Sequence, residues 1–227
     1  MYGKKSAVML YPYCSLQEVT CLTSALTLWD DHEGAQIVTF ASTRDILRSE
    51  DGFQLAAEHT FDEFRAQDYD CLLLPGILNP MPALFDPANI GFLRSLRDPL
   101  ENGGLVLAAI SSAPLLLAKA GLLDDHTFVC GVWDEVLQYL GFVPKQNIRH
   151  VPLLRDGNIV TAIGFAFREF ATEVLRAVGC GCKNTVFPGV DPRGYSEEEL
   201  TYKMGEENFK EFLEEYNGYI DREGKPL

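Results

Sequence analysis

Along the first 180 residues, short and almost uninterrupted apolar runs alternate with longer segments whose apolar positions recur every three or four residues. The runs AVMLY (Ala7 to Tyr11), QIVTF (Gln36 to Phe40), CLLLPG (Cys71 to Gly76) and LVLAAIS (Leu105 to Ser111) have the length of strands. They show little polar alternation, as expected of strands covered on both faces. Between the first two, SLQEVTCLTSALTLWDD spaces Leu22, Leu26 and Trp29 as one helix face, with Ser15 and Glu18 at the spacing of a capping box. A second helix is predicted within NIGFLRSLRDPLENGG, ended by Pro99 or Gly103, and a closing helix in FREFATEVLRAV. TFVC, HVPLL and NIVTAIG supply further strands, the last two joined by RDGN, whose Asp-Gly pair is a strong hairpin signal. Strands alternating with helix-length segments predict an α/β class with a mostly parallel sheet between helical layers.

The pattern changes at about Lys183. A Pro/Gly-rich connector, FPGVDPRGY, leads into Ser196 to Leu227, where ten acidic residues face four basic ones. Phe209, Phe212, Leu213, Tyr216 and Ile220 fall on one helical stripe there. The expected organisation is therefore an α/β domain over residues 1–182 and an acidic amphipathic helical extension over 183–227, its stripe packed on its own domain or a dimer mate.

Composition narrows the functional classes. A net charge of −14 disfavours nucleic acid, whose phosphates call for clustered Lys and Arg. No apolar stretch reaches the ~20 residues that span a bilayer, and the start, MYGKKSAVML, leads into a strand with no small-residue cleavage signal, so no export and a cytoplasmic location are expected. The six cysteines lack the density of a disulfide framework. Cys180 and Cys182 form CGC, with no second Cys or His pair to complete a zinc tetrahedron, so no metal and no cofactor is expected.

The candidate chemistry lies in AAISSAP, Ala108 to Pro114, where a buried strand turns into a helix. In a parallel sheet, loops and helix N-termini converge at the carboxyl ends of the strands. A hydroxyl at such a turn is exposed, and the amides after it can receive an oxyanion. The spacing departs from G-x-S-x-G, and the alternative is that Ser111 or Ser112 caps the following helix.

AVMLYPYCSLQEV, YDCLLLPGI, GGLVLAAISSAPLLLAKAGLL and RDGNIVTAIG occur in the order and spacing of the ThiJ/PfpI (DJ-one) family of the class I glutamine amidotransferase-like superfamily, which the chain resembles over Ser6 to Val178. The resemblance implies a three-layer flavodoxin-like sandwich, a homodimer, and a small-molecule pocket for a carbonyl or amide-type ligand. It implies that Ser111 stands where the family has its reactive cysteine, and that Glu18 reaches from the first helix to hydrogen-bond the residue at that position. It also implies that the backbone N–H of Ile77, in the loop Gly76-Ile77, and that of Ser112 receive an oxyanion. Three departures stand out. Ile77 replaces a common second glycine, Ser112 replaces a histidine, and Ile163 replaces an anion-binding arginine of some relatives.

A serine hydroxyl needs a general base where a thiol does not. His126, His32 and His59 are expected away from the site, and His150 is the histidine most able to return to it. Cys130, ending its strand beside Ser111, and Cys14, in the loop before Glu18, are accessory thiol candidates, the alternative for each being a small buried hydrophobe. Hydrolase- or glyoxalase-like chemistry is accordingly expected to be weak or absent as written. The other reading is a non-enzymatic binding, chaperone-like or regulatory protein that keeps the pocket. The chain does not distinguish a natural serine from an engineered replacement of cysteine.

Overall fold

The central apolar runs become the interior strands of one sheet. In the computed structural model, which describes residues 5–28, 36–180, 206–207, 209–210 and 214, seven strands pair in the order β5-β2-β1-β6-β7-β9-β8. They are β1 (Lys5–Met9), β2 (Gln36–Ala41), β5 (His59–Thr60), β6 (Cys71–Leu74), β7 (Val106–Ile110), β8 (Leu153–Asp156) and β9 (Ile159–Ala162). The remaining two, β3 (Leu47–Arg48) and β4 (Gln54–Leu55), form a separate antiparallel ribbon. All pairings in the large sheet are parallel except β8 with β9, where Leu153 to Asp156 run against Ala162 to Ile159 around the expected Asp-Gly turn. Gly157 occupies that turn at φ +61°. Every residue of β6, β7 and β9 is buried, which explains why these strands are apolar throughout except at Thr161.

From β1 the chain first moves to one side, to β2 and β5, and then returns to the other, to β6 and β7. Right-handed crossovers in opposite directions place their helices on opposite faces. Thus α1 (Gln17–Leu28) packs against α7 (Phe167–Ala177), while α2 (Met81–Phe85), α3 (Pro87–Arg94) and α5 (Pro114–Lys119) pack together. Two shorter helices are α4 (Arg97–Glu101) and α6 (Asp134–Tyr139). Helix α7 turns Phe170, Ala171, Val174 and Leu175 inward, at the spacing that a helix needs to cover a sheet. The result is the expected three-layer flavodoxin-like α/β sandwich.

Three expected elements take a different form. The long helix in NIGFLRSLRDPLENGG is two helices that part at Ser95–Leu96. Pro99 has no N–H to give Ser95 and its ring crowds that carbonyl, so it is accommodated in the first turn of a new helix, α4. TFVC is not a strand. Only Phe128 makes a bridge, to Ile148, because its neighbours are held by side chains: Thr127 by Asp156 and Val129 N–H by Thr161 Oγ1 at 2.9 Å. The capping box at α1 is also replaced: Leu16 N–H donates to Asp51 at 2.7 Å, and Glu18 is released for another task.

The chain divides into units over Met1–Phe187 and Pro188–Leu227. In the second, the described residues Glu206, Glu207, Phe209, Lys210 and Glu214 are helical and exposed. Trp29, His32, Cys182, the 182/183 boundary and the rest of the stripe, Phe212, Leu213, Tyr216 and Ile220, lie outside the described residues. Among those described, no helix is long and apolar enough to cross a membrane.

Candidate functional site

The sheet order reverses direction between β1 and β6, and crevices form at the carboxyl ends of strands on either side of such a switch point. The segments that leave β1, β6, β7 and β9 there carry Glu18, Gly76, Ser111 and Gly164 respectively.

Ser111 follows β7 directly and adopts φ +61°, a left-handed conformation that costs a residue with a Cβ about 1–2 kcal/mol. The surrounding hydrogen bonds impose it. Ser111 N–H donates to Ala162 O at 2.8 Å, continuing the β7–β9 ladder, and Ser111 O accepts from Gly131 N–H at 2.7 Å. The chain must then turn at once into α5, whose entry residue, Ala113, has no side-chain cap. Neither serine caps that helix. Ser112 Oγ instead donates to Ile77 O at 2.6 Å and accepts from Ile77 N–H at 3.1 Å. This pair of buried bonds fixes the 75–77 loop beside the elbow. It also gives the Ile77 N–H, expected to face an oxyanion, a protein acceptor, whereas Ser112 N–H makes no hydrogen bond to a described residue.

Glu18 and Ser111 meet around two glycines. A Cβ at Gly76 would lie 1.8 Å from Glu18 Oε2 and 2.7 Å from Ser111 Cβ. One at Gly164 would lie 2.4 Å from Glu18 Oε1 and 3.2 Å from Ser111 Oγ. Any larger residue at either place would fill the space the carboxyl and hydroxyl share. Gly131 has a similar role on the backbone side, since its Cβ would sit 3.2 Å from Ser111 Cα. The sequence alone assigns no role to Gly131 or Gly164. Their one local signal is that each follows an apolar run directed at the same sheet edge, in FVCG and VTAIG.

Burial pushes the Glu18 carboxyl up to about 7; the Ser111 hydroxyl and Gly76 N–H oppose that rise, and the nearby Glu50 and Asp51 charges add to it. Neither the hydroxyl nor the amide closes a hydrogen bond to Oε2, which is shielded from water and has no partner among the described residues. Near neutral pH this carboxyl is poised between its two protonation states.

The accessory candidates separate by geometry. Cys14 is buried, bridges Ile77, and has its thiol pushed up to about 11 by burial. Cys130 is buried beside Gly131, its thiol pushed up to about 12 for the same reason. Both stay protonated at neutral pH, so neither supplies a thiolate. His150 is exposed and lies in the segment before β8, not at the start of a strand. His126 sits 3.6 Å from Asp156, and His59 is 3.1 Å from Glu63.

Ser111 and Ser112 open into a cleft of about 290 Å³, walled by Ile77, Leu78, Met81, Leu115, Val136 and Trp133, with Glu50 at its edge. The cleft is thus mostly apolar, with hydroxyls and a carboxylate at defined points, the usual make-up of a small-molecule site.

Comparison with known proteins bears on the fold and the family. An uncharacterized protease of Bacillus subtilis (strain 168), YoaZ, is 26% identical over 170 residues, spanning 73% of this chain and 77% of its own. The deglycase PfpI of Pyrococcus furiosus is 23% identical over 131 residues, 57% of this chain and 68% of its own. Among solved structures, a ThiJ/PfpI family protein from Bacillus anthracis superposes with a TM-score of 0.69 at 23% identity, covering 79% of this chain and 85% of its own. A DJ-1 superfamily protein from Agrobacterium tumefaciens gives 0.67 at 23%, covering 80% and 93%. These structural likenesses establish the fold. The model of the DJ-1/PfpI family matches residues 4–177, which takes in every element that builds the elbow, and the chain belongs to that family.

Proposed function

We propose that the cleft binds a small carbonyl compound, which adds reversibly to Ser111, and that onward turnover is weak or absent. The observation that carries this reading is the coincidence of two local costs. Ser111 is held at positive φ, and the carboxyl of Glu18 is buried beside it with an unpartnered oxygen. Strain and an unsatisfied buried group at one point mark sites of function.

The chemistry follows from these groups. As Ser111 Oγ bonds to the carbonyl carbon, the C=O electron pair moves onto its oxygen and the hydroxyl proton passes to the Glu18 carboxylate. The oxyanion faces Ser112 N–H and then takes the proton back from Glu18, giving a neutral hemiacetal. A carboxyl titrating near 7 suits both transfers. An aldehyde offers no leaving group, so the adduct collapses back. With an amide or ester, the proton that Glu18 took from Ser111 would pass to the leaving group, and water would then have to release the acyl group from Ser111. The occupied Ile77 N–H and the absence of histidine from the described cleft lining favour binding over turnover. Family relatives bear the names deglycase and protease. Hydrolase- or glyoxalase-like activity is therefore the second reading, favoured by the poised Glu18.

Calorimetric titration with a small aldehyde tests the first reading. Ser111→Ala is expected to weaken binding by at least about tenfold, the loss of roughly 1.4 kcal/mol. Unchanged affinity would refute it, and clear turnover abolished by Ser111→Ala would establish the second reading instead.

A further inference from the structure

The carbonyl-binding reading leaves open which carbonyl compounds the cleft admits, and the charge of its walls addresses that. Glu50 is the sole ionisable side chain among the described residues that line the cleft. Its backbone is fixed, with Glu50 N–H donating to Cys14 O at 3.1 Å. Its side chain is exposed and makes no hydrogen bond or ion pair with a described residue. Trp133, on the same cleft, is 79% exposed and leaves its indole open to a ligand. A carboxylate attracts a cation through its charge, and an indole face does so through its ring quadrupole. An anionic ligand would instead meet Glu50 at the edge and Glu18 behind the elbow, in a chain of net charge −14, with no lysine, arginine or histidine in the described lining.

We infer that the cleft selects carbonyl ligands that carry a cationic group, an alkylammonium or guanidinium, and that Glu50 is the specificity-determining residue that receives it beside Trp133. The cationic end stays at the edge of the cleft, and the carbonyl end reaches Ser111. Glu50 and Ser111 line the same cleft, so one ligand can reach both, and the Glu50 charge is among the causes that raise the Glu18 carboxyl. A cation paired with Glu50 offsets that push and favours the ionised Glu18 that accepts the Ser111 proton. Charge selection and proton transfer are thereby coupled.

The test is calorimetric titration of the full chain with three aldehydes: betaine aldehyde, its neutral isostere tert-butylacetaldehyde, and anionic glyoxylate. Betaine aldehyde is expected to bind about tenfold more tightly than its isostere, with glyoxylate weakest and added salt narrowing the gap. In Glu50→Gln, betaine aldehyde is expected to fall to within about twofold of the neutral compound, the charge term being lost. Equal affinities for the two isosteres in the unaltered protein, with binding still lost in Ser111→Ala, would overturn the selectivity while leaving the carbonyl site intact. A preference that survives Glu50→Gln would overturn the role of Glu50. Failure of all three aldehydes to bind would overturn both this inference and the carbonyl site.

Discussion

Replacing Glu18 with glutamine should stabilise the fold in a way that grows with pH. The carboxyl titrates near 7 in the folded chain against an ordinary value of 4.5. Below the ordinary value, both folded and unfolded forms hold the proton and Glu18 adds no pH-dependent term. As pH rises toward 7, the unfolded chain loses its proton while the folded chain keeps it, so stability falls, and above 7 the full penalty applies. At 1.36 kcal/mol per unit the ceiling is about 3 kcal/mol, and because Glu18 is only half-buried, screening brings it to roughly 1–2 kcal/mol. Glutamine keeps the shape and never ionises. Urea unfolding of both proteins near pH 5 and near pH 8 should therefore show Glu18→Gln gaining about 1–2 kcal/mol relative to the parent between the two conditions, or roughly 2–8 °C in Tm. Any constant effect of the amide on packing cancels in that difference. Parallel stability curves across the pH range would refute a buried, near-neutral carboxyl at this position.

Three further outcomes are expected. In Ser111→Cys, the thiol should be alkylated by iodoacetamide faster at neutral pH than a cysteine in an unfolded peptide, the turn amides favouring thiolate; a rate equal to the peptide's would mean the elbow is electrostatically ordinary. Gly164→Ala places a carbon 2.4 Å from Glu18 Oε1, so it should weaken aldehyde binding by about tenfold or more and recover part of its lost stability when combined with Glu18→Ala; strictly additive effects would show that the two residues do not share the space. Ser112→Ala leaves Ile77 N–H and C=O unpaired in a buried setting and should cost about 1–3 kcal/mol in chemical denaturation; a cost near zero would mean that the 75–77 loop is held by other contacts.

The sheet was legible because its inner strands are buried on both faces, and an apolar run such as Val106–Ile110 can be little else between two turn signals. The elbow was legible for the same reason: the run stops at hydroxyls where the chain must reverse. The pairing of Glu18 with Ser111 was not a local signal. The two lie on different elements, and only the family pattern linked them. Local rules assigned Glu18 to a helix cap, a duty that Asp51 performs from a distant loop. Gly131 and Gly164 escaped notice because their reason for being glycine is space left for side chains from other elements, which no window of sequence contains. TFVC failed as a strand because Thr161 and Asp156 side chains took over backbone positions that a ladder would have used.

The central claim is that Ser111 and Glu18 form a working carbonyl site. Its most direct test is NMR of a small aldehyde labelled at the carbonyl carbon, observed in complex with the full chain near pH 7. A protein-bound tetrahedral carbon, broadened to the linewidth of the macromolecule, is expected with the unaltered chain and absent with Ser111→Ala. A bound resonance that remains trigonal, or a tetrahedral one that persists without the Ser111 hydroxyl, would contradict the account.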